Sequence, residues 1–390
     1  MAKWQQIKIG DVCVVERGGS PRPIDKFITE DENGINWIKI GDTTESMYIT
    51  KTAQKIIPEG VKKSRLVHSG DFLLSNSMSF GRPYILNIDG CIHDGWLVLR
   101  DKDNLFDKHF LYYCLSSQTT YTKFKSMAVG GVVNNLNSEM VRNVQIPLPP
   151  LNEQRKIATV LDKVSDLIAK RHQQLDKLDE MVKSRFVEMF GDPVANPYHW
   201  NTERFLQLGD CKNGMNFHST DTGVILHCLG VGDFKNLSHI SDTSKLPTIS
   251  LKDMPSDEYM LKDGDIVFVR SNGNKALVGR NLIVYPATIP TTFSGFCIRF
   301  RLRSNEVQAD YLLRVLKTDS IRKKMAGRGA NIQNLNQKVL GELQIPVPPV
   351  ELQNQFAAFV EQTKKTKTTI SCSLDNLEIL KKTLMQEYFG

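Results

Sequence analysis

The 390-residue chain lacks several features that mark common classes of protein. No apolar run approaches the roughly 18 residues of a membrane-spanning helix, and Met1-Ala2-Lys3-Trp4 does not resemble the start of a signal peptide. No Gly-x-x-x-x-Gly-Lys-[Ser/Thr] phosphate loop is present, so ATP-driven translocation by this chain is not expected. The seven cysteines include no Cys-x-x-Cys pair, which predicts free thiols in a reducing cytoplasm rather than a metal site.

Catalytic motifs of nucleic-acid enzymes are also lacking. Asn196-Pro197-Tyr198-His199 is the nearest match to the Asn-Pro-Pro-[Tyr/Phe] of amino-methyltransferases, but it lacks the second proline and suits a linker turn. No Pro-Asp…Glu-x-Lys nuclease pattern follows a β-rich run, and His68-Ser69 and His93-Asp94 are isolated pairs with no convergent partner. We therefore predict no active site, no metal and no cofactor.

The clearest feature that is present is an internal repeat. Ile146-Pro147-Leu148-Pro149-Pro150 returns near the C-terminus as Ile-Pro-Val-Pro-Pro at 345–349. Sliding Leu136–Gly191 by 199 positions onto Leu335–Gly390 needs no gap and matches 16 of 56 residues. A gapless repeat on a long period predicts two similar units in tandem.

Each copy has the pattern of one long helix. Pro149-Pro150 predicts an extended segment before it, and Gly191-Asp192-Pro193 ends it. Apolar residues between these limits alternate at spacings of four and three, which favours packing against a second helix, and the other copy is the obvious partner. About 40 residues at ~1.5 Å each make a helix about 60 Å long, too long for one compact domain. The predicted helix-packing residues are Ile157, Leu161, Val164, Ile168, Leu175, Leu178 and Val182 in the first copy and Phe356, Val360, Ile370, Leu374, Leu377 and Leu384 in the second.

The residues before each long helix have a mixed α+β pattern. Short β-rich runs such as Trp96–Leu99 are separated by Gly, Asp, Asn and Ser, whereas Phe110–Lys125 has helical spacing. Gly70-Asp71 returns as Gly264-Asp265, so the plan recurs more loosely in the second half. We predict α+β domains at 1–145 and 192–344, followed by long helices at 146–191 and 345–390.

Positive charge is concentrated in the second domain. Ile266–Gly329 contains twelve Lys and Arg but three acidic residues, a balance of +9, whereas the whole chain carries +7. A basic block inside a globular domain indicates a polyanionic partner, most often nucleic acid. The alternative is a strand and a helix with basic outer faces.

Side chains suited to contacting DNA cluster on predicted turns near strand ends. Arginine fits phosphate oxygens or guanine, asparagine pairs with adenine, and glycine allows close backbone approach. The alternative is that Asn-Gly and Ser-Asn simply form turns. The candidate DNA-binding residues are Arg17, Gly19, Ser20, Arg22, Lys39, Ser75, Asn76, Ser77 and Arg82 in the first domain and Arg270, Ser271, Asn272, Asn274, Lys275, Arg280, Lys323, Lys324 and Arg328 in the second.

The repeated block carries a family resemblance. Pro147-Leu148-Pro149-Pro150-Leu151-x-Glu153-Gln154-x-x-Ile157, followed by a long helix that ends in Phe-Gly, resembles the specificity subunit of type I restriction–modification systems. The resemblance covers essentially the whole chain. It implies two α+β target-recognition domains, separated and joined by two long helices that form an antiparallel coiled coil with pseudo-two-fold symmetry.

The function implied by the resemblance is sequence-specific recognition of double-stranded DNA without catalysis. Each domain would recognise one half of a bipartite target, and the helices would set the spacer and dock the partner subunits. The implied partners are two adenine-N6 methyltransferase subunits, which use S-adenosylmethionine, and motor–nuclease subunits, which use ATP. This chain would bind neither cofactor and would not contact a membrane.

Three other hypotheses stay open at this point. The chain could be the specificity module of another DNA methylation or anti-phage system with the same plan. It could be a methyltransferase or nuclease without recognisable motifs, which labelled S-adenosylmethionine would reveal. It could also be a coiled-coil assembly protein without a nucleic-acid role, which a salt-dependent DNA-binding assay would decide.

Overall fold

The computed structural model describes residues 4–76, 80–128, 135–217, 221–235, 237–326 and 334–390. The chain divides into two compact units: unit 1 comprises Met1–Gln173 with Ile370–Gly390, and unit 2 comprises Gln174–Thr369. Each unit therefore contains a globular part and portions of both long helices. The four segments expected from the sequence separate the long helices from the α+β domains, whereas each compact unit includes parts of both helices. The boundaries of those four segments stay a prediction.

Unit 1 begins with short strands and ends its globular part with three helices and an edge strand. Its elements, in chain order, are β1 (Gln6–Lys8), α1 (Ile9–Val12), β2 (Cys13–Arg17), β3 (Ile28–Thr29), β4 (Ile35–Ile38), β5 (Tyr48–Ile49), β6 (Gln54–Ile56), α2 (Pro58–Val61), β7 (Arg65–Val67), β8 (Phe72–Ser75), β9 (Pro83–Leu86), β10 (Gly90–Ile92), β11 (Trp96–Asp101), α3 (Lys108–Ser116), α4 (Gln118–Ala128), α5 (Ser138–Asn143), β12 (Gln145–Pro147) and α6 (Leu151–Phe190).

Two five-stranded sheets and one small ribbon organise unit 1. The strand orders are β2-β11-β8-β9-β5, β3-β6-β4-β10-β7 and β1-β12. Leu73 and Trp96 of the first sheet share a buried cluster with Ile38 and Ile92 of the second. The opposite face of the first sheet is covered by α3, by α4 and by the long helices. The alternation of side chains along each strand thus supplies two cores.

Unit 2 repeats this plan with fewer strands. Its further elements are β13 (Thr202–Arg204), α7 (Phe205–Leu208), β14 (Gly209–Asn213), β15 (Val224–Leu229), β16 (His239–Ile240), β17 (Thr248–Leu251), β18 (Asp265–Val269), β19 (Asn281–Val284), β20 (Thr291–Phe293), β21 (Cys297–Leu302), α8 (Ala309–Leu316), α9 (Asp319–Ala326), α10 (Gln337–Gly341), β22 (Gln344–Pro346) and α11 (Val350–Phe389). The sheets have the orders β14-β21-β18-β19-β16, β17-β15-β20 and β13-β22. The mixed α+β class expected from the sequence is confirmed.

The long helices α6 and α11 pair in opposite directions within each unit. In unit 1, Ile157 and Leu161 near the start of α6 share a core with Phe389 at the end of α11. In unit 2, Phe186 and Phe190 near the end of α6 share a core with Phe356 near the start of α11. The start of one helix therefore meets the end of the other, as an antiparallel pair requires.

Burial along α6 follows the apolar stripe of the sequence. Ile157, Leu161 and Val164 are buried, and the later stripe positions through Met189 are at least half-buried, while most positions between them are exposed. Arg171 occupies a position of the stripe and is partly buried, although its side chain is charged. A period of 3.5 residues keeps one face of a helix turned toward a partner.

A buried glutamine fastens each globular part to its long helix. Gln154 accepts a hydrogen bond from the Asp107 N–H at 2.8 Å and donates to the carbonyls of Leu105 and Pro149, each at 2.9 Å. Gln353 makes the corresponding set with the Gln308 N–H and the carbonyls of Glu306 and Pro348, all at 2.8 Å. Both side chains are fully buried, which explains why this glutamine occurs in both copies.

The recurring Gly-Asp pair has a structural role in both sheets. Gly70 and Gly264 adopt φ of +95° and +86°, which side chains rarely allow. Asp71 then pairs with Arg100 of β11 at 3.0 Å, and Asp265 pairs with Arg301 of β21 at 2.8 Å. Each pair links neighbouring strands of the main sheet. In the described parts of the chain, no helix is long and apolar enough to cross a membrane.

Candidate nucleic-acid interface

Antiparallel pairing brings three segments to one edge of the main sheet in unit 1. β11 lies between β2 and β8 and is antiparallel to both, with Leu97 opposite Arg17 and Trp96 opposite Ser75. The C-terminal ends of β2 and β8 therefore lie beside the N-terminal end of β11. The two predicted DNA-contacting loops, which follow Arg17 and Ser75, meet there.

Asp94, just before β11, organises this edge. Its carboxylate accepts a hydrogen bond from Ser20 Oγ at 2.8 Å and lies 3.7 Å from Arg22 Nη2. Its backbone carbonyl accepts from Arg17 Nε at 3.1 Å and from Asn76 Nδ2 at 2.8 Å. The hydrogen bond from Ser20 lowers the pKa of the Asp94 carboxyl, which is therefore ionised at neutral pH. One acidic residue thus gathers four of the predicted contact residues.

These residues differ in how far an outside ligand could reach them. The Arg22 side chain is 83% exposed, and Arg82 is exposed with its guanidinium 5.4 Å from the centre of the Tyr84 ring. Ser75 and Asn76 are buried, and Ser75 Oγ accepts from the Arg82 N–H at 3.1 Å. Arg22 and Arg82 face outward, whereas Ser75 holds the backbone at Arg82 and Asn76 bonds the Asp94 carbonyl.

Glycine in the first loop permits a close approach to the chain's own backbone. A Cβ at Gly18 would overlap the His93 carbonyl oxygen. The Gly19 N–H donates to the Ile92 carbonyl at 3.2 Å, and a Cβ there would lie 3.1 Å from the Lys63 carbonyl oxygen. The loop is therefore seated against β10 before it reaches Ser20.

Beside this loop lies a cavity of about 480 Å³. Its lining comprises Ser20, Pro21, Arg22, Ile24, Trp37, Lys39, Gln54 and His93. Lys39 Nζ donates to Gln54 Oε1 at 2.7 Å, and burial lowers the pKa of His93, so that its imidazole is neutral at pH 7. The charge in the cavity therefore comes from Arg22 and Lys39 rather than from histidine.

The corresponding edge of unit 2 has a different chemical character. The backbone N–H of Arg270 donates to the Phe296 carbonyl at 2.8 Å, as that of Asn76 donates to the Gly95 carbonyl at 3.0 Å. Asn76 therefore corresponds to Arg270 rather than to Asn272, although Ser75-Asn76 and Ser271-Asn272 are the same dipeptide. The Phe296 side chain, 61% exposed, stands where unit 1 has a glycine.

Polar side chains surround Phe296. Arg270 Nη1 lies 3.4 Å from the Gly295 carbonyl, which corresponds to the Asp94 carbonyl bonded by Asn76 in unit 1. A cavity of about 420 Å³ at this edge is lined by Val231, Ser271, Asn272, Gly273, Phe296 and Asn334. Unit 2 thus presents an aromatic ring with amides, where unit 1 presents a carboxylate with arginines.

Asn272 and Asn274 also stabilise their own turn. Asn272 Oδ1 accepts the Asn274 N–H at 2.7 Å, and Asn274 Oδ1 accepts the Ala276 N–H at 3.1 Å. The turn-forming role that the sequence left open is therefore present in the structure. These two hydrogen bonds use the Oδ1 atoms of Asn272 and Asn274 and do not involve their Nδ2 atoms.

The remaining candidates lie elsewhere in unit 2 or outside the described residues. Arg280 Nη1 donates to the Lys235 carbonyl at 2.8 Å, away from Phe296, and Lys323 and Lys324 are exposed on α9. Ser77 and Arg328 lie outside the described residues, as does the side chain of Lys275.

The basic window of unit 2 carries less free charge than its composition suggests. Arg299, with a side chain 2% exposed, contacts Asp210 at 3.1 Å, and Arg303 contacts the same carboxylate at 2.6 Å. Arg301 pairs with Asp265 on the neighbouring strand. Both acids precede Ile266, so a count restricted to the window omits them.

Two residues of these edges were missed by sequence reasoning. Asp94 was regarded as part of an isolated pair, which is wrong because Ser20, Arg17, Arg22 and Asn76 converge on it. Phe296 belongs to no recognisable sequence motif. The only signal in the sequence is that Gly295-Phe296 directly precedes a β-rich run. Among the described residues, no group of three or more His, Cys, Asp or Glu side chains could hold a metal ion.

A family model described as the type I restriction modification DNA specificity domain matches residues 1–180 and 236–378. The chain is 24% identical over 379 residues to the MjaVIII specificity subunit of Methanocaldococcus jannaschii, covering 91% of this chain and 84% of the relative. It is 21% identical over 370 residues to the EcoKI specificity subunit of Escherichia coli K12, covering 86% and 75%.

Solved structures agree with this fold. The S subunit of a type I restriction–modification system from M. genitalium superposes with a TM-score of 0.56 at 17% identity, over 100% of this chain and 96% of that one. A chain from a study of complex assembly in the type I R-M system gives 0.64 at 17% identity, over 100% and 98%. At this identity the likeness concerns the fold alone.

Proposed function

The chain belongs to the family of type I restriction–modification DNA specificity proteins, and we propose that it recognises a bipartite DNA sequence for such a complex. It is a non-catalytic subunit: recognition resides here, while methyl transfer and ATP-driven cleavage belong to partner subunits. The observation that carries this proposal is the recurrence, in both units, of turns with arginine and amide side chains at the same edge of the main sheet.

The two edges are suited to different sequences. Arg22 and Arg82 supply exposed guanidinium groups in unit 1, and the arginine fork matches guanine or phosphate oxygens. Asn272 and Phe296 supply an amide and an apolar ring in unit 2, which suit adenine or the thymine methyl group. Different chemistry on one scaffold is what recognition of two unlike half-sites requires.

The sharpest test exchanges one globular part. Residues 1–145 are replaced by the matching segment of a relative, and the chimera is co-expressed with the modification subunit. Long-read mapping of methylated adenines should then show one half of the target changed and the other retained. The reciprocal exchange of 192–344 is the matched control and should change the other half. A folded chimera that changes both halves would contradict the assignment of one unit to one half-site.

The long helices offer a matched pair of partner surfaces. Met181 of α6 and Leu380 of α11 occupy equivalent repeat positions, and each is 44% exposed. Each lies three residues before an exposed hydroxyl residue, Ser184 or Thr383, and seven residues before an exposed glutamate, Glu188 or Glu387. The same exposed stripe in both copies suits two copies of one partner, and we assign it to the modification subunits.

Introducing a negative charge at this stripe distinguishes the two partner copies. Met181→Glu and Leu380→Glu should each remove one modification subunit from the purified complex, and the double variant should remove both. Leu167→Glu is the matched control, because Leu167 is 45% exposed on α6 but Thr366 occupies the equivalent position of α11. Native mass spectrometry gives the stoichiometry. Full assembly of the double variant would exclude this surface.

We also infer a cytoplasmic location. All seven cysteines are free thiols, and Cys13, Cys91, Cys114, Cys228 and Cys297 are buried. Free thiols persist in a reducing compartment, which is also where the DNA target lies. Fractionation of cells that express the complex would test this location.

A further inference from the structure

Unit 2 contains a cationic cavity that the recognition edges do not use. It has a volume of about 500 Å³ and lies among the end of α6, the junction of α8 and α9, and the start of β19. The basic residues that line it are Lys183, Lys235, Arg280, Arg314, Lys317 and Arg322. Asp192 and Asp319 are the acidic residues of the same lining.

The cations deepest in the cavity bond neutral atoms rather than carboxylates. Lys317 Nζ donates to Ser238 Oγ at 2.7 Å and to the Leu237 carbonyl at 3.3 Å. Arg314 Nη2 is buried and has no hydrogen-bond partner within the described residues. A buried donor without a partner is costly, so an arginine in this state indicates a site for an external acceptor.

Two of the nearby carboxylates, those of Asp179 and Asp192, already accept hydrogen bonds. Asp179 acts electrostatically on Arg314 and Lys317, but both of its oxygens accept hydrogen bonds from Lys367 at 2.8 Å. Asp192 Oδ1 accepts the backbone N–H groups of Val194 and Ala195 at 2.9 and 3.0 Å. Six basic residues face Asp192 and Asp319 in the lining, so the cavity keeps an excess of positive charge.

The electrostatic consequence is visible at Lys317. Burial, followed by repulsion from Arg314, lowers its pKa from the ordinary 10.5 to about 8, with Arg322 and Arg280 adding to the effect and Asp179 opposing it. An anion in the cavity would reverse this shift, because it favours the charged lysine.

Unit 1 shows that the fold does not need these cations. Asp107 and Gln308 are equivalent, because each donates its backbone N–H to the buried glutamine of its own unit. They are 201 residues apart, and the same offset separates the start of α3 from that of α8 and the start of α4 from that of α9. At this offset Arg314, Lys317 and Arg322 correspond to Tyr113, Ser116 and Tyr121. The basic lining is therefore specific to unit 2.

We propose that this cavity binds a phosphate-bearing ligand, with Arg314 and Lys317 contacting the phosphate oxygens and Arg322 at the rim. Arginine and lysine together are the usual donors to phosphate, and about 500 Å³ suits a ligand of nucleotide size. The phosphate can belong to a free phosphorylated compound or to a DNA strand. Only the second source rests on the function proposed above.

The test titrates the full-length chain with inorganic pyrophosphate by calorimetry at pH 7.5 in a chloride buffer. Arg314→Gln and Lys317→Gln should each weaken binding by about tenfold or more, since each removes a charge-assisted contact. Arg322→Gln, at the rim, is the variant to use where a deeper change prevents folding. Lys338→Gln, an exposed lysine of the same unit with the same loss of charge, is the matched control and should bind like the wild type.

The outcomes separate the two sources of phosphate. Displacement of pyrophosphate by a short duplex would assign the pocket to a DNA backbone phosphate, and retention of pyrophosphate on the DNA-bound chain would assign it to a free compound. Absence of pyrophosphate binding, or equal affinity in wild type, Arg314→Gln and Arg322→Gln, overturns the proposal. DNA recognition through the sheet edges would survive that result, because duplex binding is measured separately.

Discussion

The buried glutamines give a prediction whose magnitude can be worked from their contacts. Gln154→Leu keeps the size of the side chain but removes three hydrogen bonds. The Asp107 N–H and the carbonyls of Leu105 and Pro149 then lose these partners around a fully buried side-chain position. Each orphaned group costs ~1–3 kcal/mol, and carbonyls lie at the low end because they keep a second lone pair. We expect a loss of about 3–5 kcal/mol.

That loss is large against the total stability of a domain, which is about 5–15 kcal/mol. Urea unfolding measures the loss of free energy of unfolding, and hydrogen exchange shows which part of the chain is destabilised. Peptides from α3 should exchange faster in Gln154→Leu, whereas peptides from α8 should not. The reverse is expected for Gln353→Leu, whose partners lie in unit 2.

Two further variants make this reasoning refutable. Gln173→Leu changes an exposed glutamine of the same helix and should alter stability by less than about 0.5 kcal/mol. Gln154→Glu places a carboxylate oxygen against two carbonyls, which raises the pKa of the new side chain. Because the protonated form is favoured in the folded state, this variant should be less destabilised at pH 5 than at pH 8. A cost below about 1 kcal/mol for Gln154→Leu would refute the structural role.

Three other predictions concern the helices and the cationic cavity. Phe356→Ala removes a ring whose centre lies 5.5 Å from that of Phe186 and 5.6 Å from that of Phe190, so urea unfolding should show a loss of about 3–5 kcal/mol. Wild-type stability should rise relative to Lys317→Met by ~1–2 kcal/mol from pH 7.5 to 9.5, because the folded state releases the Lys317 proton near pH 8 while the unfolded state keeps it. Seven residues inserted after Ala169 preserve the stripe and add about 10 Å, so the methylation map should show a spacer wider by up to about three base pairs.

Each of these has a contrary outcome. A Phe356→Ala variant as stable as the wild type would mean that packing of this ring against Phe186 and Phe190 does not stabilise unit 2. A parallel pH response in wild type and Lys317→Met would place the proton release elsewhere. An assembled insertion variant with its original spacer would show that helix length does not set the target.

Local features of the sequence determined the helices and the repeat. α6 begins directly after Pro149-Pro150, because proline disfavours a helical conformation in the residue before it. It ends before Gly191, which adopts φ +73° at the C-terminal end. The 3.5-residue stripe likewise predicted which face of each helix would be least exposed. Such features depend on neighbours within a few turns, so the amino-acid order suffices to predict them.

Tertiary structure alone decided which polar groups are engaged. Cross-strand register brings Asp210 to Arg299 across 89 residues and Asp94 to Ser20 across 74, and neither separation leaves a pattern in the sequence. The same folding carries Arg314 and Lys317 into a cavity where basic residues outnumber acidic ones, while Arg299 is paired with Asp210. Charge composition cannot distinguish these cases, because electrostatic energy depends on distance and burial rather than on order along the chain.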